Sequence, residues 1–230
     1  VEHITETEVM DTSIRRVSLE EANEFLRIKK EEAPKVSFGV SLCILSPICM
    51  FLLGAAGELN MIPLSEEAAG AIGMMILLVI VAVACAIFIP SGMKTKPYEF
   101  LEKEIIETEY GVTGMVKERK HKFQDTYVRY NIMGVVICLV AGMALFGAAF
   151  VEGNEFLEVV FLCIALVIAA IGVRFLVLAG IIQGSFQRLL QEGDYSIEEK
   201  TNAKSSVVGA VSAIYWLVVT AIFLGLSFSG

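Results

Sequence analysis

Residues 68–90 read AAGAIGMMILLVIVAVACAIFIP, a run with no charge and no polar side chain beyond Cys85. A helix folded in water keeps a wet face and this run has none, whereas about 20 apolar residues is the length that crosses a hydrocarbon core of about 30 Å. The pattern predicts a membrane span. The same criterion finds further spans at residues 36–57, 131–151, 159–179 and 207–228. The expected fold is all-α, a polytopic transmembrane helical bundle with five spans. Its expected parts are a linker at 1–17, an amphipathic juxtamembrane helix at 18–35, a transmembrane hairpin at 36–90, a helical connection at 91–127, a second hairpin at 128–180, a further connection at 181–206 and a fifth transmembrane helix at 207–230.

Between the spans the period of the pattern changes. Ser18 and Glu21 form a capping box ahead of an apolar stripe at Leu19, Ala22, Phe25 and Leu26, so an amphipathic helix should start there and stop at Pro34. Pro47 falls in the middle of the first span, where a lost hydrogen bond and a ring clash predict a kink and make it a candidate hinge. Residues 58–67 read as a turn, with Ser65 capping the second span. Pro90 should end that span, and Pro97 should open a helix with Tyr98, Leu101 and Ile105 on one face, closed by Gly111.

A second amphipathic piece, from about Thr113 to Tyr127, carries Val116, Phe123 and a basic run of Lys117, Arg119, Lys120, His121 and Lys122. A charge run is usually a solvated face. So close to a span, Lys117, Arg119, Lys120 and Lys122 are also candidates for contact with anionic headgroups, at about 1 kcal/mol per basic residue near the surface. Tyr127 and Tyr130 would then mark the interface. Arg174 lies inside the fourth span, where a charge is a candidate functional residue, though it is near enough to the end of the span to snorkel.

Basic residues give the expected orientation. The turns at 58–67 and 152–158 hold acids and no Lys or Arg, and every basic residue other than Arg174, and Arg129 just ahead of the third span, lies in the N-terminal segment or the two longer connections. Since cytoplasmic loops retain Lys and Arg, the N-terminus and the connections should be inside and the short turns outside. The expected location is the bacterial cytoplasmic membrane, multi-pass.

The two hairpins also resemble each other. Gly39-Val-Ser-Leu-Cys43 lies over Gly134-Val-Val-Ile-Cys138, Phe51 over Phe146 at the same offset, and Tyr98 and Leu101 correspond to Phe186 and Leu189. The unit reads as amphipathic helix, span, short outer turn, span, repeated in parallel. A third unit opening near Gly209 has one span, and a sixth helix would complete it. The chain starts at Val1 rather than Met and stops at Gly230 after an apolar run, as a piece of a longer protein would. Small residues four apart, at Ala69/Gly73, Ala82/Ala86, Ala144/Ala148, Ala165/Ala169 and Gly209/Ala213, suit close helix packing, and Tyr215 and Trp216 within the fifth span would want polar partners.

Composition excludes more than it assigns. A hydrophobic share of 56% and a mean hydropathy of +0.69 are too apolar for one soluble domain. A net charge of -8 argues against a nucleic-acid surface. Cys43, Cys49, Cys85, Cys138 and Cys163 fall in apolar runs without a CxxC pair, and His3 and His121 are far apart, so neither a metal nor a cofactor is expected. No HExxH, GxSxG or Walker-type run is present and the acids of the spans are confined to turns, so the chain is not expected to be an enzyme.

Four stretches carry a resemblance. Ser18-Leu-Glu-Glu-Ala-Asn-Glu-Phe-Leu-Arg-Ile-Lys-Lys30, Phe38-Gly-Val-Ser-Leu-Cys-Ile-Leu-Ser-Pro47, Tyr98-Glu-Phe-Leu-Glu-Lys-Glu104 with Glu109-Tyr-Gly-Val112, and Ala213-Ile-Tyr-Trp-Leu-Val-Val-Thr-Ala-Ile-Phe-Leu-Gly225 are similar to the C-terminal membrane region of bacterial membrane-bound transcriptional regulators. In that family a helix-turn-helix domain of the Cro/repressor type, XRE-like, precedes the spans. The resemblance implies a membrane anchor and sensor module, with DNA reached only through a domain that is not in this chain. A small permease or transporter subunit is the alternative. The expected partners are the lipid bilayer and further copies of the same chain, and the sequence leaves the ligand open.

Overall fold

The computed structural model describes residues 15–59, 61–148, 155–198 and 200. The linker up to residue 14 and the expected fifth span at 207–230, with Tyr215, Trp216 and the Gly209/Ala213 pair, lie outside the described residues. Within the described residues the chain runs β1 (Arg15–Val17), α1 (Leu19–Leu45), α2 (Ile48–Glu58), α3 (Glu66–Thr95), a 3-10 turn at Lys96–Tyr98, α4 (Phe100–Lys103), β2 (Ile106–Thr108), α5 (Val112–Ala148), α6 (Glu155–Leu190) and a 3-10 turn at Gly193–Tyr195. The fold is an all-α bundle with one short strand pair added. Four helical stretches, Leu19–Glu58, Glu67–Tyr98, Val112–Gly147 and Phe156–Tyr195, are long and apolar enough to cross a membrane.

The helices outrun the segments the sequence predicts, and the reasons are local. Pro34 was expected to end the first helix, yet α1 continues for 27 residues as one rod. The backbone bond that Pro34 forfeits would have gone to the carbonyl of Lys30, an exposed residue, and Ser37 Oγ donates to the Pro34 carbonyl at 2.9 Å from the following turn. Pro90 likewise lies inside α3, which runs on to Thr95. Residues 113–127 and the third span are not two pieces. No Gly or Pro falls between Met115 and Met133, and α5 is continuous over 37 residues. The connection expected from 181 is helical as far as Leu190, because Ile182, Phe186 and Leu189 extend the apolar stripe of α6.

Two expectations for the polar segments need correction. Residues 15–17, expected as linker, form β1, and the helix expected from Pro97 to Gly111 is replaced by a 3-10 turn, the single-turn α4 and β2. The β-branched Ile106 and Thr108 suit a strand, and β1 pairs with them in parallel, Arg15 to Ile106, Arg16 to Glu107 and Val17 to Thr108. Gly111, at φ +90, turns the chain from β2 into α5. The capping box at the start of α1 is formed, with Glu21 N donating to Ser18 Oγ at 3.1 Å and Ser18 N to Glu21 Oε2 at 3.2 Å. Ser65 caps α3 by accepting from Ala68 N at 3.3 Å.

In the bundle α6 packs on α5 and on α1, and α3 packs on α1 and α2. Helices approach closely where a side chain is missing. A Cβ on Gly73 would lie 2.7 Å from the Met50 backbone, and one on Gly172 would lie 2.9 Å from the Gly134 carbonyl. The Ala82/Ala86 pair does not serve this purpose: both are exposed and Ala84 between them is buried. Large apolar side chains of α3 and α5, among them Met75, Leu78, Val79, Leu139, Met143 and Phe146, point outward. An apolar surface of that extent marks helices that meet lipid or other helices rather than water.

Candidate functional site

All the long helices bring one end to the same place. Beyond the spans, the N-terminal turns of α1 and α5, the C-terminal turns of α6, and β1, α4 and β2 enclose a hydrophobic core: Val17, Ala22, Phe25, Leu26, Phe100, Leu101, Ile106, Val112, Val116, Phe186 and Leu189. We call this the polar end. The Phe25 ring lies 5.3 Å from that of Tyr98, and the Phe123 ring 6.0 Å from that of Phe186. Burying side chains of this size contributes about 1.5–3 kcal/mol each. Val17, the last residue of β1, is fully buried here, so the strand is held by its own side chain as well as by the ladder.

Three polar devices fix the arrangement. The Gln191 side chain acts as a third strand for β2: its Nε2 donates to the Ile106 carbonyl at 2.8 Å and its Oε1 accepts from Ile106 N at 3.2 Å. Gln191 takes φ 50, a left-handed value at the end of α6 that suits a helix stop. Lys200, buried, donates from Nζ to the Leu101 carbonyl at 2.8 Å and the Glu104 carbonyl at 2.7 Å, which caps α4. Burial pushes its ammonium below the ordinary lysine value.

The third device sits where the polar end meets the spans. The Glu32 side chain is only 5% exposed, and its Oε1 accepts from Lys35 Nζ at 2.7 Å and from Lys94 Nζ at 2.8 Å. Lys35 first, then Lys94, hold its carboxyl down to about 2, against the burial that pushes it up. The bond to Lys94 ties α1 to the end of α3 across the chain.

The residues singled out from sequence do not form one cluster. Lys120 pairs with Glu192, and Lys122 pairs with Glu118 at 2.7 Å within its own helix. Arg119 Nη2 donates to Asn23 Oδ1 at 2.6 Å on α1, and Lys117 is exposed. Arg174 is exposed, with its guanidinium 5.7 Å from the centre of the Phe38 ring, level with the start of the first span. Pro47 stands between α1 and α2 at φ -76, as the first residue of a new helix start, and Ser46 Oγ turns back to the Cys43 carbonyl at 2.8 Å.

Sequence reasoning missed Glu32, although a signal was present. It falls on the buried stripe of α1, seven residues on from Phe25 and next to the buried Ala33. Gln191 and Lys200 gave no such signal, since their partners are backbone groups remote in sequence. Among the described residues no three His, Cys, Asp or Glu side chains converge as metal ligands would. No family model matches the chain, and neither a curated protein nor a solved structure is significantly similar to it.

Proposed function

We propose that the chain is a membrane anchor and sensor module whose spans are coupled mechanically to the segment that precedes β1. The observation that supports this reading is the single rod α1, unbroken from its cap at Ser18 through Pro34 to Leu45. A displacement of the part of the first span that lies in α1, up to Leu45, reaches the cap at Ser18 without a joint to absorb it, and the pairing of β1 with β2 and the burial of Val17 hand it on. In the regulators that the sequence resembles, a helix-turn-helix domain occupies the position ahead of such a segment. DNA would be contacted there and not by this chain.

The polar end belongs on the cytoplasmic side in this reading, because it gathers the basic residues. The repeat belongs to it as well. Gly39 receives the Phe88 ring and Gly134 receives Leu176, so equivalent positions of the two hairpins make equivalent approaches. β1 and β2 each lead into the first helix of a hairpin.

A transport site is less well supported. The buried hydroxyls of the first span are engaged with the backbone: Ser37 with Pro34, Ser41 with Ser37 and Ala170, and Ser46 with Cys43. The test joins a helix-turn-helix reporter domain ahead of Val1 and measures promoter output in cells. Phe25→Ala should change output several-fold while the protein stays inserted, and unchanged output would overturn the coupling. Orientation is tested separately, by an impermeant thiol reagent applied to intact cells. Met61→Cys should be labelled and Lys120→Cys should not.

A further inference from the structure

The start of the first span carries more positive charge than its own acids absorb. Glu32 Oε1 accepts from both Lys35 and Lys94, so one carboxylate meets two ammonium groups, and Glu31 beside it on α1 is engaged by Arg27 at 2.8 Å. Arg174 adds a third cation. Its guanidinium lies 5.7 Å from the centre of the Phe38 ring, and Phe38 follows Lys35 by one turn on the same side of α1. No acid pairs with Arg174 among the described residues, and Phe38 offers a ring face but no acceptor for the five N–H donors of a guanidinium. Three positive charges stand against one carboxylate.

Contacts between the helices fix the depth of these cations. Ser41 Oγ donates to the Ala170 carbonyl at 3.1 Å, and α1 and α6 run in opposite directions, so Arg174, one turn nearer the polar end, stands level with Ser37. On the other side of α1 the Lys94 ammonium is level with Glu32, and Phe88 with Gly39. At 1.5 Å per helical residue the three cations therefore lie between about 6 Å outside Val36, the first residue of the span, and about 2 Å inside it. That interval is the headgroup layer, about 5–8 Å on each side of the hydrocarbon core. At the same level a cleft of about 290 Å³ opens between α1 and α3, with Glu32, Lys35 and Lys94 at its polar mouth and Phe38, Ile87 and Pro90 along its apolar wall. The mouth faces the polar end and the wall faces the spans, which is the order of a phosphate and its acyl chain.

We propose that one anionic phospholipid binds here, its phosphate held between Lys35 and Arg174 and the start of an acyl chain lying along Phe38 and Ile87. Lys94 alone neutralises Glu32, and Lys35, about half exposed, is free to turn to the phosphate. The guanidinium fork meets two phosphate oxygens at once. The lipid then ties α1, α3 and α6 together where the spans begin. This assignment does not rest on the sensor reading, and a failure of the promoter test would leave it standing.

The full chain, purified in neutral detergent, is offered phosphatidylglycerol or phosphatidylcholine with identical acyl chains, and bound lipid is counted by native mass spectrometry. One phosphatidylglycerol per chain should be retained over phosphatidylcholine. Arg174→Gln should lower that retention about fivefold, which is about 1 kcal/mol per basic residue at 1.4 kcal/mol per decade. Lys35→Gln with Arg174→Gln should lower it roughly twenty-five-fold by the same arithmetic. Arg174→Gln alone, at an exposed residue with no ion pair to lose, keeps the test valid if the double variant folds poorly. Lys117→Gln, exposed and well ahead of the third span, should leave retention unchanged. Equal retention of the two lipids would overturn the proposal, as would undiminished retention in Arg174→Gln. A loss in Lys117→Gln equal to that in Arg174→Gln would also overturn it, since it would mean diffuse surface attraction. Displacement of the lipid by millimolar inorganic phosphate would do the same, in favour of a soluble anion.

Discussion

The two ends of the same helices bury different kinds of side chain. At the polar end the fully buried residues are large, among them Phe25, Leu101, Leu189, Val112 and Val116. Along the spans they are small: Ser37, Gly39, Ser41, Ala69, Ala84, Ala165 and Ala170, while Leu, Met and Phe face outward. The difference follows from the solvent. Water drives large apolar groups together, so a wet region assembles around them. Lipid is as apolar as Leu, so spans gain by close backbone approach and hydroxyl bonds, such as Ser41 Oγ to the Ala170 carbonyl at 3.1 Å. One continuous rod obeys both rules, and the change of rule along α1 falls near Glu32.

The comparison makes its strongest prediction for the large residues. Phe25→Ala should cost the polar end about 3–5 kcal/mol, the range for removing a buried aromatic ring. Hydrogen exchange should show protection lost over β1, α4 and the start of α5, with the spans unchanged. Leu139→Ala, which removes an outward-facing side chain of α5, should cost next to nothing by thermal melting in detergent. If the two variants were equally destabilised, the division into two packing regimes would be wrong.

The next effect tests the spans on their own terms. Gly172→Val would set its Cβ 2.7 Å from Cys138 Sγ and 2.9 Å from the Gly134 carbonyl. Backbone cannot yield as a side-chain tip can, so α5 and α6 should part, at about 1–3 kcal/mol. Distances between spin labels on the two helices should lengthen by several ångströms. Gly180→Val, at an open position of the same helix, should leave them unchanged.

Glu32 probes the boundary. Its carboxyl is held at about 2, below the ordinary 4.5, so it stabilises the fold at neutral pH and that stability is lost as the pH falls from about 4.5 toward 2. The acid limb of the melting curve should flatten in Glu32→Gln. The loss at pH 7 should be about 1 kcal/mol, because Lys35 and Lys94 are about half exposed and can turn to water when the carboxylate is gone. A loss several times larger would mean that the pair is a buried one after all.

What the sequence disclosed divides along the same line. The spans within the described residues were legible because an all-round apolar run has one physical meaning. The capping box was legible because its two bonds are local. Pro34 and Pro90 misled, since proline reads as a stop when only the strand-like or helical preference of its neighbours is weighed, and these two are held in place by helix on both sides. The strand pair escaped notice because Arg15–Val17 and Ile106–Thr108 are three residues each, too short for a period, and their partner is 91 residues away. The basic run was visible as charge, but its sorting was not. Lys120 and Lys122 find acids, Arg119 finds α1, and Arg27 and Lys30, which share a groove with Arg119 and Lys122, come from a different part of the chain.

The smallest effect decides what holds β1. Arg16 Nε donates to Glu107 Oε2 at 3.0 Å across the ladder, but both side chains are more than half exposed. Exposed pairs contribute about 0–1 kcal/mol, because water competes for both charges and two long side chains must be ordered. Arg16→Ala should therefore leave the exchange protection of β1 almost intact, whereas Val17→Ala should reduce it by about 1–2 kcal/mol through the lost packing against the polar-end core. Were the order reversed, the strand would be fastened by its surface charges. Protection would then fall steeply with added salt.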